Sequence, residues 1–170
     1  KKKREKIDFC IVGEPTNPNK LGEMIKIGRR GSLSGLIKIS GTQGHVAYPH
    51  LVNNPINTLV AVCKKLKEKK LDWGNKNFQP SNLEFTSINV DNKATNVIPA
   101  SARAQFNIRF NNLHTSSSLK KKISSVVKNI SKKNKCKFRI DFHVSGESFL
   151  TKPNDTIYMA KKIIKKITKI

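Results

Sequence analysis

Apolar and polar positions alternate most cleanly just after Pro99. Ala102, Ala104, Phe106, Ile108 and Phe110 fall on one face, and Arg103, Gln105, Asn107 and Arg109 fall on the other. That period of two predicts a strand with one buried face. Leu33, Gly35, Ile37 and Ile39 keep the same period over residues 32–40, and Phe138, Ile140, Phe142 and Val144 repeat it later. Residues 82–90 also read as a strand, with either Leu83 and Phe85 or Ile88 and Val90 pointing inward. Two stretches instead carry helical spacing. Asn53–Asn54–Pro55 supplies a cap and a first-turn proline, followed by Ile56, Leu59, Val60, Cys63 and Leu66. Thr115 can cap a second helix, with the stripe Leu119, Ile123, Val126, Val127 and Ile130.

The elements between 32 and 144 therefore run β-α-β-β-α-β. That order predicts an α+β, ferredoxin-like domain, with a four-stranded antiparallel sheet and both helices on one face. Two apolar segments lie outside it. The run from Ile7 to Val12 has the composition of a short strand buried on both faces, ending at Gly13–Glu14–Pro15. A carboxylate at the end of such a strand is where open α/β sheets place ligand groups, although a solvated turn before proline reads the same way. Near the other end, Ile157, Ala160, Ile163, Ile164 and Ile167 predict a third helix. Residues 16–31 read as loop, and residues 71–81 as a polar loop carrying Trp73 and Phe78. The layout suggests a small domain at 32–144 inserted into a larger one, of which 1–31 and 145–170 are stubs.

Charge changes this picture little. The 170 residues carry 34 Lys and Arg against 11 Asp and Glu, a net charge of +23. Such a balance raises the question of a nucleic-acid partner. The lysines are spread over termini, helix faces and loops, and only 6% of residues are aromatic, so no stacking platform accompanies them. Lys64, Lys65, Lys67, Lys69 and Lys70 fall toward the end of the first helix, where cations suit the dipole. The composition thus disfavours nucleic acid. Cys10, Cys63 and Cys136 form no CxxC pair and sit among apolar neighbours, which predicts buried free thiols in a reducing compartment. No signal-type or membrane-length apolar run is present, so the expectation is a cytoplasmic protein without membrane contact.

The densest chemistry lies in Gly41–Thr42–Gln43–Gly44–His45–Val46–Ala47–Tyr48–Pro49–His50. Glycines permit tight turns and close approach, and a histidine can donate a hydrogen bond or carry charge near neutrality. From these ten residues alone, a functional loop and a turn with an incidental histidine are equally good readings. Gly28–Arg29–Arg30–Gly31–Ser32 upstream and Thr95–Asn96–Val97–Ile98–Pro99 downstream favour the functional loop.

Together with Gly13–Glu14–Pro15, Gln105–Phe106–Asn107–Ile108–Arg109–Phe110 and Ser145–Gly146–Glu147–Ser148–Phe149–Leu150–Thr151, these segments resemble the succinyl-diaminopimelate desuccinylases in order and spacing. That group belongs to the zinc-dependent aminoacylase and carboxypeptidase-type hydrolases. The resemblance implies a lid domain that forms a homodimer and is inserted into an α/β catalytic domain holding two zinc ions. It also implies hydrolysis of N-succinyl-diaminopimelate to succinate and diaminopimelate, a step of lysine and cell-wall biosynthesis. By the same resemblance, Glu14 falls on a zinc-ligand position. His45 falls on a lid histidine that reaches into the partner subunit's site and stabilises the oxyanion of a tetrahedral intermediate. Arg29, Tyr48, Asn96, Arg109 and Ser145 fall near positions lining the substrate pocket, where arginine forks suit carboxylates.

Thr95 stands where the family often has a second asparagine. His50 has no assigned chemistry, and His114 and His143 read as structural or solvated. No HxD, Glu–Glu or HExxH motif occurs. The family's other zinc ligands and its general base are expected before residue 1, and its last histidine ligand after residue 170. The chain as given is therefore expected to be inactive alone. Three further readings stand beside this one: a dimerisation module without catalytic duty, a related acetylornithine deacetylase- or aminoacylase-like deacylase, and, most remote, a basic nucleic-acid-binding protein.

Overall fold

The computed structural model describes residues 6–13 and 17–169. They fall into two compact units, Gly28–Leu150 and a smaller one made of the segments on either side of it. The larger unit contains β1 (Gly28–Arg29), β2 (Gly31–Ser40), β3 (Gly44–His45), a 3-10 turn (Pro49–Leu51) and α1 (Pro55–Lys67). It continues with β4 (Asn82–Asn89), β5 (Val97–Ile98), β6 (Ser101–Phe110), α2 (Ser116–Lys133), β7 (Lys137–Gly146) and β8 (Phe149–Leu150). The smaller unit holds α3 (Asp155–Thr168).

The four long strands form one antiparallel sheet in the order β4-β6-β2-β7. This is the ferredoxin-like plan expected from the alternation. The core lies between the sheet and the two long helices. Leu33, Ile37, Ile39, Ala104, Phe106, Ile108 and Phe110 are fully buried against Leu59 and Val62 of α1 and Leu119, Ile123 and Val127 of α2. Gly35 is where Phe106 crosses β2: a Cβ there would lie 2.3 Å from the ring. Phe85 and Phe142 meet Phe106 from its two sides, edge-on, with centroids 6.2 and 6.4 Å away.

Several expectations need correction. Val60 is 57% exposed, and α1 buries Pro55, Thr58 and Val62 beside the expected Leu59, with Ile56, Cys63 and Leu66 packed part-buried against the core. Thr58 tolerates burial because its hydroxyl donates to Asn54 O at 3.1 Å and accepts from Asn134 Nδ2 at 3.1 Å. In β4 a register shift between Phe85 and Ser87 changes the phase of alternation. Leu83 and Phe85 face the core before it, Val90 packs there after it, and Ile88 is exposed. No single face could have been chosen for that strand.

Residues 7–12 form no strand, and Ile7, Phe9, Ile11 and Val12 are exposed. A strand apolar on both faces needs neighbouring strands and covering layers. No described strand of this chain pairs with these residues. Cys10 is accordingly exposed rather than buried, whereas Cys136 is buried and burial pushes the half-buried Cys63 thiol up to about 11. Glu14 lies outside the described residues.

The loop over residues 71–81 is anchored by one carboxylate. Asp72 accepts from Gly74 N at 2.6 Å, Ser81 N at 3.2 Å and Asn111 Nδ2 at 2.8 Å, and it faces His114 Nε2 at 3.0 Å. Asn111 is fully buried at the end of β6. Its amide donates to Ser81 Oγ, and its side-chain oxygen accepts from Leu113 N. Burial alone would raise the Asp72 pKa, but the donors of Ser81, Gly74 and Asn111 outweigh it and hold the carboxyl at about 2, against 3.8 ordinarily. A depressed folded-state pKa adds stability above the unfolded value, and that stability is lost as pH falls through the folded one. Asp72→Asn should therefore destabilise the protein by about 2 kcal/mol at neutral pH. The gap from the parent should close between about pH 4 and pH 2 in urea titrations. A gap independent of pH would show that Asp72 is not held ionised by these donors.

Candidate functional site

The ladder of β2 with β6 extends one bond past Ser40, as Gly41 N donates to Ala100 O at 2.9 Å. The two chains then continue as the short pair β3–β5, with Gly44 opposite Ile98 and His45 opposite Val97. Thr42 is tied to Asn53 by an isolated bridge. A Cβ on Gly41 would lie only 1.8 Å from Asn53 O, so no larger residue fits where the loop passes the start of α1. Val46 N donates to Asn96 O at 3.0 Å, and Tyr48 N donates to His45 O at 3.0 Å, which closes a turn. The His45 ring accepts at Nδ1 from Ala47 N at 3.1 Å. The Tyr48 ring stands 6.0 Å from that of His45 and 6.4 Å from that of His50.

His45, Tyr48 and Asn96 thus form one exposed cluster. Asn92, which the sequence reading missed, holds its far side. Its amide donates to Val97 O at 2.8 Å and Ala94 O at 3.2 Å, and its oxygen accepts from Ala94 N. The signal was present as an asparagine two residues before the amide it binds, the spacing of an Asx turn.

Arg29, Arg109 and Ser145 form a second group elsewhere. Arg109 lies opposite Ser32 on β2 and Asn82 on β4, on the polar face of the sheet. Ser145 is the extra residue of a bulge, between Val144 opposite Leu33 and Gly146 opposite Ser32. Arg29 lies in β1, opposite Phe149 of β8. All three are exposed, whereas the neighbouring Arg30 is engaged with Pro80 O and Asn82 Oδ1.

The two groups sit at opposite ends of β2. The steps from Ser32, opposite Arg109, to Ser40, opposite Ser101, span about 26 Å at about 3.3 Å per residue. One protomer therefore does not gather the six residues into one pocket. Among the described residues no three His, Cys, Asp or Glu side chains are placed to hold a metal ion, so these residues do not by themselves fit a zinc centre. No described helix is long and apolar enough to cross a membrane.

Residues 27–135 match the family described as peptidase dimerisation domain. The chain belongs to that family. The chain is 64% identical over 170 residues to a succinyl-diaminopimelate desuccinylase of Pelagibacter ubique, covering 100% of this chain and 44% of that protein. A desuccinylase of Parvibaculum lavamentivorans is 48% identical over 168 residues, covering 99% and 42%. The chain thus spans less than half the length of these curated relatives. Among solved structures, its fold is shared with a tripeptidase from Staphylococcus aureus, at TM-score 0.68 and 14% identity over 85% of this chain and 37% of that one. An aminopeptidase from Bacillus cereus matches at TM-score 0.69 and 13% identity over 87% and 38%.

The packing at Gly41 yields a test of how the dimerisation domain holds its histidine loop. Gly41→Ala should lower stability by at least the roughly 1–3 kcal/mol typical of overpacking, because the obstacle is backbone. Gly146→Ala, whose Cβ would meet nothing within 4 Å, should change it little. Equal thermal midpoints for Gly41→Ala and the parent would contradict the tight passage beside Asn53.

Proposed function

We propose that this chain is the lid and dimerisation part of a succinyl-diaminopimelate desuccinylase that hydrolyses N-succinyl-diaminopimelate to succinate and diaminopimelate. The observation that carries the reading is the division of the candidate residues between the two ends of one sheet. A site needing both groups is completed by two copies of the chain. One copy contributes Arg29, Arg109 and Ser145, and the partner contributes His45, Tyr48 and Asn96.

Each group then has a chemical task. Arg29 and Arg109 bind substrate carboxylates through charge-assisted, potentially bidentate hydrogen bonds. His45 donates a hydrogen bond to the oxygen that becomes negative as the amide carbon turns tetrahedral. Tyr48 and Asn96 border that oxygen and fix the acyl group. Zinc in such hydrolases polarises the carbonyl and lowers the pKa of a bound water. Glu14 is the ligand proposed from this chain, and the remaining ligands belong to other parts of the enzyme.

The sheet has two edges that differ in their readiness to pair. The β4 edge is broken by its register shift and carries the Lys67–Glu84 pair at 2.7 Å. Opposite it, β7 runs from Lys137 to Val144 without interruption and exposes part of Phe138. Self-association is therefore assigned to the β7 edge and the helix beside it. Sedimentation equilibrium of the 170-residue chain should give dimers, and monomers alone at the highest soluble concentration would overturn this assignment.

The function itself is tested in the full-length enzyme by succinate release. His45→Ala should lower turnover about a hundred- to a thousandfold, as for loss of one oxyanion donor, with little change in KM. Mixed dimers of His45→Ala and Arg109→Ala subunits hold one site with both residues intact and should recover up to half the parent activity. If His45 served its own subunit, both sites would be defective and no activity would return.

A further inference from the structure

The loop does more than carry His45 to the end of the sheet. A backbone N–H can only donate, so the 3.1 Å contact from Ala47 N requires an acceptor lone pair at His45 Nδ1. In a neutral imidazole only one ring nitrogen carries the proton, which must then be on Nε2. The bond closes over two residues, the span by which asparagine and aspartate side chains fix their own turns. It acts with the Tyr48 N to His45 O bond of the same turn and with the pairing of His45 to Val97. Backbone and ring are thus held by separate contacts.

We propose that the Ala47 amide is a positioning group that fixes the His45 tautomer, so that the loop presents one N–H donor, Nε2–H, to a carbonyl or oxyanion acceptor. The far nitrogen of the ring is the only one left to meet a ligand, because Nδ1 is turned back onto the loop. The donor is set before any substrate arrives, which removes ring reorientation and tautomer exchange from the binding step. Preorganised donors of this kind are effective because they need no rearrangement as charge develops. The use of the donor rests on the desuccinylase reading, but its existence does not, and the two are measured separately.

The tautomer is read directly in the 15N-labelled 170-residue chain by long-range proton–nitrogen correlation, at a pH well above the ordinary histidine range. His45 should show an unprotonated Nδ1 and a protonated Nε2, together with a scalar coupling between Ala47 N and His45 Nδ1 across the hydrogen bond. Exposed His50 and His143 serve as internal references for averaged tautomers. Ala47→Gly keeps the amide and should keep this pattern. Ala47→Pro removes it and should move the His45 nitrogens to the averaged positions of His50.

A proton on Nδ1, or averaging like that of His50 without coupling in the parent chain, overturns the proposal. So does a folded Ala47→Pro variant that retains the single tautomer. If that variant fails to fold, the parent spectrum and coupling decide alone. In the full-length enzyme Ala47→Pro should lower kcat with KM little changed, whereas Ala47→Gly should match the parent. Unchanged turnover of Ala47→Pro beside a confirmed parent tautomer would refute the lock's contribution to catalysis, whereas the role of His45 itself is decided by His45→Ala.

Discussion

The central strand β2 is the constraint on which the rest of the domain depends. It is paired along nearly its whole length, with β6 on one side and β7 on the other. Such a strand can neither shorten nor slip without moving its buried face to solvent. Leu33, Ile37 and Ile39 hold the register, and Phe106 lying over Gly35 admits no side chain at that point. The length of β2 then becomes the separation between its two ends. Arg29, Arg109 and Ser145 are gathered where β2 begins, and the His45 loop leaves where it ends. That rigid strand keeps the two groups apart within one copy of the chain.

The loops at the two ends are stabilised by different means. Between α1 and β4, the chain is held by a mostly buried carboxylate that collects several donors. Beyond β2, the His45 loop has no such centre and relies on backbone geometry. Its contacts include the short β3–β5 pair, the Thr42–Asn53 bridge, the close passage of Gly41 past Asn53 and the bonds made by the amides of Val46, Ala47 and Tyr48. This leaves the side chains of His45, Tyr48 and Asn96 exposed outside the core, with Nδ1 of His45 taken by the Ala47 amide.

The fold was legible wherever one face of an element was buried and the other wet. The strand after Pro99 and the helix capped by Thr115 are both read from period and cap, and Thr115 indeed accepts from Ser118 N at 3.1 Å. Legibility failed where burial was not the property that the pattern reports. Thr58 is buried because its hydroxyl has partners, and Val60 is exposed although apolar. In residues 82–90 both candidate faces were partly right, since a bulge adds a residue that period counting cannot see. The apolar run at 7–12 carried the composition of a buried strand without its neighbours. At the candidate site the motifs pointed to His45, Arg29 and Arg109. The separation of His45 from the two arginines came only from strand register, and Asn92 escaped notice because an Asx turn is a local contact within a polar loop.

Charge is the property most easily over-read in this chain. On the open face of the sheet, Lys38 lies between Arg103 and Arg139 in register, a cationic row across three strands. Arg103 is paired with Asp91 at 2.7 Å and Arg139 with Asp141 at 3.0 Å, so the row is partly neutralised by its own neighbours. Lys67 pairs with Glu84, and Lys65 with Glu68. The exposed tryptophan, Trp73, has Lys70 Nζ 4.1 Å over its ring and lies in the loop before β4. Exposed ion pairs of this kind contribute little individually and are screened by salt. What separates Arg29 and Arg109 from the many other cations is their place, at the end of the sheet beside the bulge that carries Ser145.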